Sequence, residues 1–384
     1  MATTITSGVR YSGIWTLTQV NAAISAGTWT GLPYLYSWGQ NTYGQLGLGN
    51  TTNYSSPKQV GSLTTWLKIA SGTYHTISVK TDGTLWTWGL NNVGQLGLGN
   101  TTYYSSPKQV GALTTWSAVV CGSFYTIATK TDGTLWTWGQ NNVGQLGLGD
   151  VTIRSSPNQV GALTTWSAIA AGASHTIATK TDGTLWTWGF NNNGQLGLGN
   201  ITNYSSPKQV GALTTWLAIA AGDYHTIARK TDGTLWTWGK NTEGQLGIGN
   251  TTSYSSPKQV GALTTWLTIA GGRYFHTIAR KTDGTLWTWG YNAYGQLGLG
   301  NTTNYSSPKQ VGALTTWSAI AGGGVNRTIA TKTDGTLWTW GRNNLGQLGL
   351  GNVTNYSSPK QVGALTTWSA IAAGAYHTLG IATP

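Results

Sequence analysis

The chain has 384 residues, of which only 8% are charged, and carries a net charge of +12. The scarcity of charge does not signal disorder, because 22 tryptophans and 18 tyrosines supply ample surface to bury. No apolar run reaches the roughly 18 residues that a membrane-spanning helix needs, and the single cysteine, Cys121, excludes a disulfide within the chain.

Residues 1–31 stand outside any repeat. They lack the basic and apolar stretches of a secretory signal, so none is expected. Leu17, Val20, Ala23 and Ile24 follow Thr16, a residue suited to capping a helix, and share one face at helical spacing. The expectation is an attachment segment, 1–31, followed by one domain, 32–384.

From there the chain repeats itself. Gly-Gln-Leu-Gly-[Leu/Ile]-Gly begins at Gly44, Gly94, Gly144, Gly194, Gly244, Gly295 and Gly346. The run lacks the Lys-Ser/Thr pair and the following helix of a phosphate loop, so it reads as a tight turn. The unit from 166 to 210 accommodates four short strands: A (166–172), B (176–180), C (184–189) and D (205–210). Thr-Asp-Gly-Thr between B and C is a hairpin signal, because glycine accepts a positive φ. Pro207, which has no N–H to donate, suits the start of an outer strand. Four strands in a repeat of about 50 residues predict a β-propeller blade.

Six complete units run from 66 to 362. The N-terminal side supplies only C and D, at 35–38 and 55–60, and the C-terminus supplies only A and B, at 368–382. Two halves make a seventh blade and remove the free sheet edges. The predicted fold is all-β, a closed seven-bladed propeller with four-stranded blades, the seventh completed by both termini.

Residues of chemical promise reduce to structural roles. His75, His175, His225, His276 and His377 recur at one position, but blade spacing is too wide for a metal ring. Tyr125 and Arg327 also interrupt the series, so hydrogen bonding at the start of strand B is expected. Asp82, Asp132, Asp182, Asp232, Asp283 and Asp334 each stand alone in an Asp-Gly hairpin, without the second carboxylate that acid–base pairs require. Cys121 replaces Ala or Ser of other repeats and reads as a small core residue. Trp186 and Trp188 share one strand face and suit blade packing. The expectation is a protein that is not an enzyme and holds no metal or cofactor.

The positive charge is spread round the repeat. Lys58, Lys108, Lys208, Lys258, Lys309 and Lys360 lie in Ser-Ser-Pro-Lys-Gln-Val, and the lysines from Lys80 to Lys332 precede an aspartate by two residues and are expected to be locally offset. Such a distribution argues against nucleic acid as a partner.

The Gly-x-x-His-Thr, Asp-Gly-x-Leu-x-x-Trp-Gly-x-Asn and Gly-Gln-Leu-Gly-Leu-Gly runs resemble the repeats of the regulator of chromosome condensation family, over residues 32–382. That resemblance implies the same propeller. The family's eukaryotic founder is a nucleotide exchange factor for a small GTPase and binds chromatin. This chain departs from it in having more uniform repeats and no basic tail. Ser12-Gly13-Ile14-Trp15-Thr16-Leu17 and Ala26-Gly27-Thr28-Trp29 are similar to short segments of bacteriophage virion proteins.

Comparison among repeats locates the variation. The B-to-C and D-to-A links are nearly invariant, whereas the A-to-B and C-to-D links differ. Alternate connections of a meander emerge at opposite ends, so the variable links share one face of the disc. The residues expected to bind on that face are Tyr43, Leu90, Phe190, Asn193, Asp223, Tyr224, Lys240, Glu243, Arg273, Tyr274, Tyr291, Tyr294, Arg342 and Leu345, a set rich in types favoured at recognition surfaces. Two repeats carry an extra residue in the A-to-B turn. The leading expectation is a binding module of a phage virion, in tail or capsid. Residues 1–31 would attach it to other virion proteins, and the variable face would meet a host glycan or protein. The alternative is a cellular, cytoplasmic interaction propeller, including exchange activity on a small GTPase.

Overall fold

The computed structural model describes residues 32–322 and 324–384. The predicted helix face at 17–24 lies outside the described residues. The described chain forms seven antiparallel sheets of four strands each. Blades 1 to 6 follow in chain order, and blade 7 joins the two ends. In blade 3 the strands are A (Trp166–Ala171), B (His175–Lys180), C (Leu185–Gly189) and D (Tyr204–Gln209), within a residue or two of expectation.

Local chemistry explains each hairpin. The Asp182 carboxylate accepts the Thr184 N–H at 2.9 Å and its hydroxyl at 2.6 Å, and the Trp186 indole N–H donates to the same hydroxyl oxygen at 2.9 Å. Gly183 takes φ +77° to make the turn. The hydroxyl bond holds the Asp182 carboxyl below its ordinary range. The repeated aspartates are therefore turn residues.

Blade 7 is ordered D-C-B-A from Tyr54–Gln59, Tyr34–Gly39, His377–Ala382 and Trp368–Ala373. The two ends of the chain pair in register from Tyr34 against Ala382 to Gly39 against His377. Closure of the ring is thus a continuous ladder.

Blades are joined by polar mortar and apolar filling. The Gln45 carbonyl accepts the Thr76 hydroxyl at 2.8 Å and the Trp88 indole N–H at 3.0 Å from the next blade. The same pair of bonds recurs at Gln145, from Thr176 and Trp188, and at Gln347, from Thr378 and Trp38. A Cβ on Gly47 would lie 2.8 Å from the Trp88 indole nitrogen, so the glycine lets the turn approach the ring. Seven apolar clusters fill the sheet-to-sheet spaces. In blade 3 Trp166 meets Trp186 and Trp188 edge-on at 6.4 and 5.9 Å, which bears out the packing role of the paired indoles.

The lysines before the hairpins require a correction. Among the described residues the only ion pair is Arg154–Asp150. The Lys180 ammonium instead sits 3.7 Å from the Trp186 ring centre and 5.2 Å from that of Trp166. A cation–π contact at a desolvated indole face competes well with an exposed ion pair, so these lysines are fastened to the blades.

Candidate functional site

The variable links do share one face. Tyr74 of an A-to-B turn packs against Tyr43 of a C-to-D link at 5.0 Å, and Gln40 donates its N–H to the Tyr376 carbonyl at 2.9 Å. The uniform links meet at the other face, where the Trp116 N–H donates to the Gly83 carbonyl.

On the variable face the residue preceding strand B is Tyr74, Phe124, Ser174, Tyr224, Phe275, Asn326 and Tyr376 in blades 1 to 7. Five of the seven are aromatic, and they form a collar in two arcs. One arc crosses blades 7, 1 and 2: Tyr376 stacks on Tyr74 at 5.9 Å, and Tyr74 meets Phe124 at 6.4 Å. Tyr43 extends it outward to Tyr103 at 5.9 Å, and the Arg342 guanidinium lies over Tyr294 and Tyr376. The second arc crosses blades 4 and 5. Tyr224 stacks on Phe275 at 6.1 Å, Phe190 and Tyr291 flank them, and the Lys240 ammonium lies 4.4 Å from the Phe275 ring centre. Ser174 and Asn326 mark the two gaps.

Twelve of the fourteen expected binding residues thus fall into three groups. Tyr43, Phe190, Tyr224, Lys240, Tyr291, Tyr294 and Arg342 take part in the arcs. Asn193, Glu243 and Leu345 lie beside them, half-buried, each with its backbone N–H held by the glutamine two residues on; the Glu243 carboxylate also accepts from Asn304. Asp223 and Arg273 line the central channel rather than the collar. Leu90 is a correction: only 5% exposed, it is part of the interior and cannot meet a partner. Tyr74, Phe124, Tyr376 and Tyr103 belong to the collar as well. The signal that could have found the first three, and Phe275 with them, is the recurrence of an aromatic residue before strand B; Tyr103 instead departs from its counterparts in the other repeats.

The extra residue has a backbone consequence. Tyr274 at φ +78° and Asn326 at φ +59° are the described non-glycine residues with positive φ, and each sits in a lengthened turn. Asparagine tolerates this conformation, whereas for a bulky aromatic it is strained. Tyr274 is 38% exposed and meets Phe275 at 5.7 Å, so the strained residue stands on the face.

Beneath the collar the recurring histidines are structural. The Thr226 hydroxyl donates to the Gln195 carbonyl at 2.7 Å. Its oxygen can then only accept from His175 Nε2, 3.1 Å away, which places the proton on Nε2. The same contact joins His75 to Thr126, His225 to Thr277, His276 to Thr328 and His377 to Thr76. All five rings are buried, and burial pushes His75, His175 and His225 down to about 3 and His276 to about 4. Where Tyr125 replaces histidine, its hydroxyl donates to the His175 carbonyl at 2.6 Å. Arg327 instead donates to the carbonyls of Ala375, Gly374 and His377. Among the described residues no cluster of three or more His, Cys, Asp or Glu is placed to hold a metal.

Cys121 is buried as expected, and burial pushes its thiol up to about 12. It should resist Ellman's reagent at pH 8 in the native protein and react fully in denaturant. Rapid reaction without unfolding would contradict the burial.

The RCC1-like domain model matches residues 30–218, and the regulator of chromosome condensation (RCC1) repeat model matches 232–279, 283–325 and 334–381. A stretch of 81 residues, 21% of this chain and 16% of the relative, is 43% identical to Protein RCC2 homolog of Danio rerio. Another of 88 residues, 23% of this chain and 20% of the relative, is 40% identical to the ultraviolet-B receptor UVR8 of Arabidopsis thaliana. The matched stretches therefore span a fifth or less of these relatives. The solved structure of human WBSCR16 superposes with a TM-score of 0.81 at 21% identity, covering 91% of this chain and 99% of that one. Prp20p of Saccharomyces cerevisiae, described with its binding to Gsp1p and histones, superposes at 0.80 with 19% identity, covering 92% of each chain. At such identities the superpositions establish the fold.

Proposed function

The chain belongs to the RCC1 repeat family, and from that premise we propose that it is a non-catalytic protein-interaction propeller whose aromatic face engages a partner protein. The observation that carries this reading is the collar. Aromatic side chains from five blades are held against one another on the one face that varies between repeats, with Lys240 and Arg342 laid over them. Rigid aromatic anchors ringed by cations are the usual energetic centre of an interface. Among the described residues no cluster of three or more His, Cys, Asp or Glu competes with it.

Partner proteins also fit the comparisons better than a virion does. The virion expectation drew on residues 1–31, which lie outside the described residues. The matching relatives are proteins of animals and plants, and the superposed Prp20p is described as binding Gsp1p. A cellular setting, cytoplasmic or nuclear, goes with this reading, and a small GTPase is the first partner to test.

The test compares wild type with Tyr74→Ser/Phe275→Ser on the variable face and Leu163→Ser on the uniform face. Each immobilised chain is presented with a small GTPase loaded with fluorescent GDP and, separately, with cross-linked cell extract. Loss of a partner by the collar variant alone, with or without faster nucleotide release, supports the reading. Identical capture by all three chains rejects this face as the interface.

A further inference from the structure

The turns around the channel mouth are strung together by backbone bonds. Thr73 donates its N–H to the Ser123 carbonyl, Ser123 to Ala173, and Ala173 to Asp223; Val325 donates to Ala375, and Ala375 to Gly72. Among the described residues the series stops at Asp223 and resumes at Val325. Blade 5 occupies that interval, and its lengthened turn sends Arg273 across the channel. The Arg273 guanidinium donates to the Thr73 hydroxyl at 2.8 Å, the Ser123 hydroxyl at 3.4 Å and the Gly122 carbonyl at 3.1 Å. It roofs a polar cavity of about 220 Å³ lined in part by Ser71, Cys121, Gly172 and Asp223.

The charges here do not balance. Among the described residues Arg273 is bonded only to neutral acceptors, and no carboxylate lies within ion-pair distance of it. By valence its Nε–H and one Nη2–H have no partner among the described residues. Arg327, fully buried nearby, is likewise held by carbonyls alone, and its Nε has no partner. Burial and the Arg273 charge lower Arg327 to about 9, which leaves it protonated at neutral pH. The five histidines are neutral. Asp223 is the one acidic group lining the cavity; burial works against its ionisation, and the nearby Arg273 charge and the Tyr274 backbone N–H favour it in part. Two guanidinium charges against at most one carboxylate leave the mouth positive, in surroundings where an unmatched charge is costly.

We propose that the channel mouth is a binding site for one anionic group, a carboxylate or a phosphate, received by the free donors of Arg273. Arg327 does not touch the cavity and contributes only its field. Asp223 opposes the ligand and limits its affinity. The site is smaller than any protein interface, so it stands whether or not the surrounding collar engages a protein.

Inorganic phosphate and acetate, each titrated into the full chain at ionic strength matched with chloride, test this by calorimetry and thermal melting. Binding should weaken roughly 10- to 100-fold in Arg273→Gln, the loss of a charged hydrogen bond. It should strengthen in Asp223→Asn, which keeps the acceptor for Tyr274. Arg327→His, which restores the residue of five other blades, should weaken it only severalfold. Saturation by phosphate alone marks a phosphoryl group as the ligand, by acetate alone a carboxylate, and by both the shared chemistry. Absence of binding to the wild type, or binding unchanged in Arg273→Gln, overturns the proposal. Melting of each variant without anion separates a fold defect from a lost site.

Discussion

Acidification from pH 6.5 towards 4 should unfold the protein far more steeply than a typical domain. Each buried histidine has a folded pKa well below its ordinary 6.5, down to about 3 for His75, His175 and His225. Below pH 6.5 the unfolded chain takes up protons that the folded one refuses, so stability is complete above that value and falls as pH falls. Each such histidine removes about 1.4 kcal/mol per pH unit, and five remove up to about 7 kcal/mol per unit. A total stability of about 5–15 kcal/mol is then exhausted within one to three units. The repeated hairpin aspartates, held below their ordinary range, add to the loss only at lower pH. Urea unfolding followed by tryptophan fluorescence at several pH values gives the proton uptake as a slope. A slope near five protons is expected around pH 5. His175→Tyr, which copies Tyr125, should lower it by one. Constant stability from pH 7 to 5 would show that the rings accept protons while folded.

Removal of the last strand should be as damaging. Ending the chain at Gly374 deletes His377–Ala382, a strand buried throughout and paired on both sides. Leu379 and Ile381 each contribute about 1.5–3 kcal/mol by burial, and about ten ladder bonds near 1 kcal/mol each are lost with them. The sum, on the order of 10 kcal/mol, rivals the whole stability. It also frees the edges of Tyr34–Gly39 and Trp368–Ala373 for pairing between molecules. The truncated chain should aggregate or melt without cooperativity, and addition of a synthetic 375–384 peptide should restore soluble protein. A cooperative melt near the wild-type temperature would mean that six blades hold the ring unaided.

Much of this was legible in the sequence, because it depends on short range or on period. Asp182, Gly183 and Thr184 make their turn with one another, so the hairpin could be read from three letters. The spacing of Gly-Gln-Leu-Gly counted the blades, and the half-units at 35–60 and 368–382 dictated closure. A fourfold meander divides its links between two faces whatever the side chains are, so the variable face followed from topology alone. What only the tertiary structure decided are contacts between residues a blade or a half-ring apart. Closure of the ring brought Tyr376 onto Tyr74. It also carried Arg273 over the channel to Thr73, 200 positions away. Repetition specifies how a blade is made, but the chemistry at the channel mouth comes from single departures, Arg273, Asp223 and Arg327. Their meaning depends on which blades face each other across the closed ring.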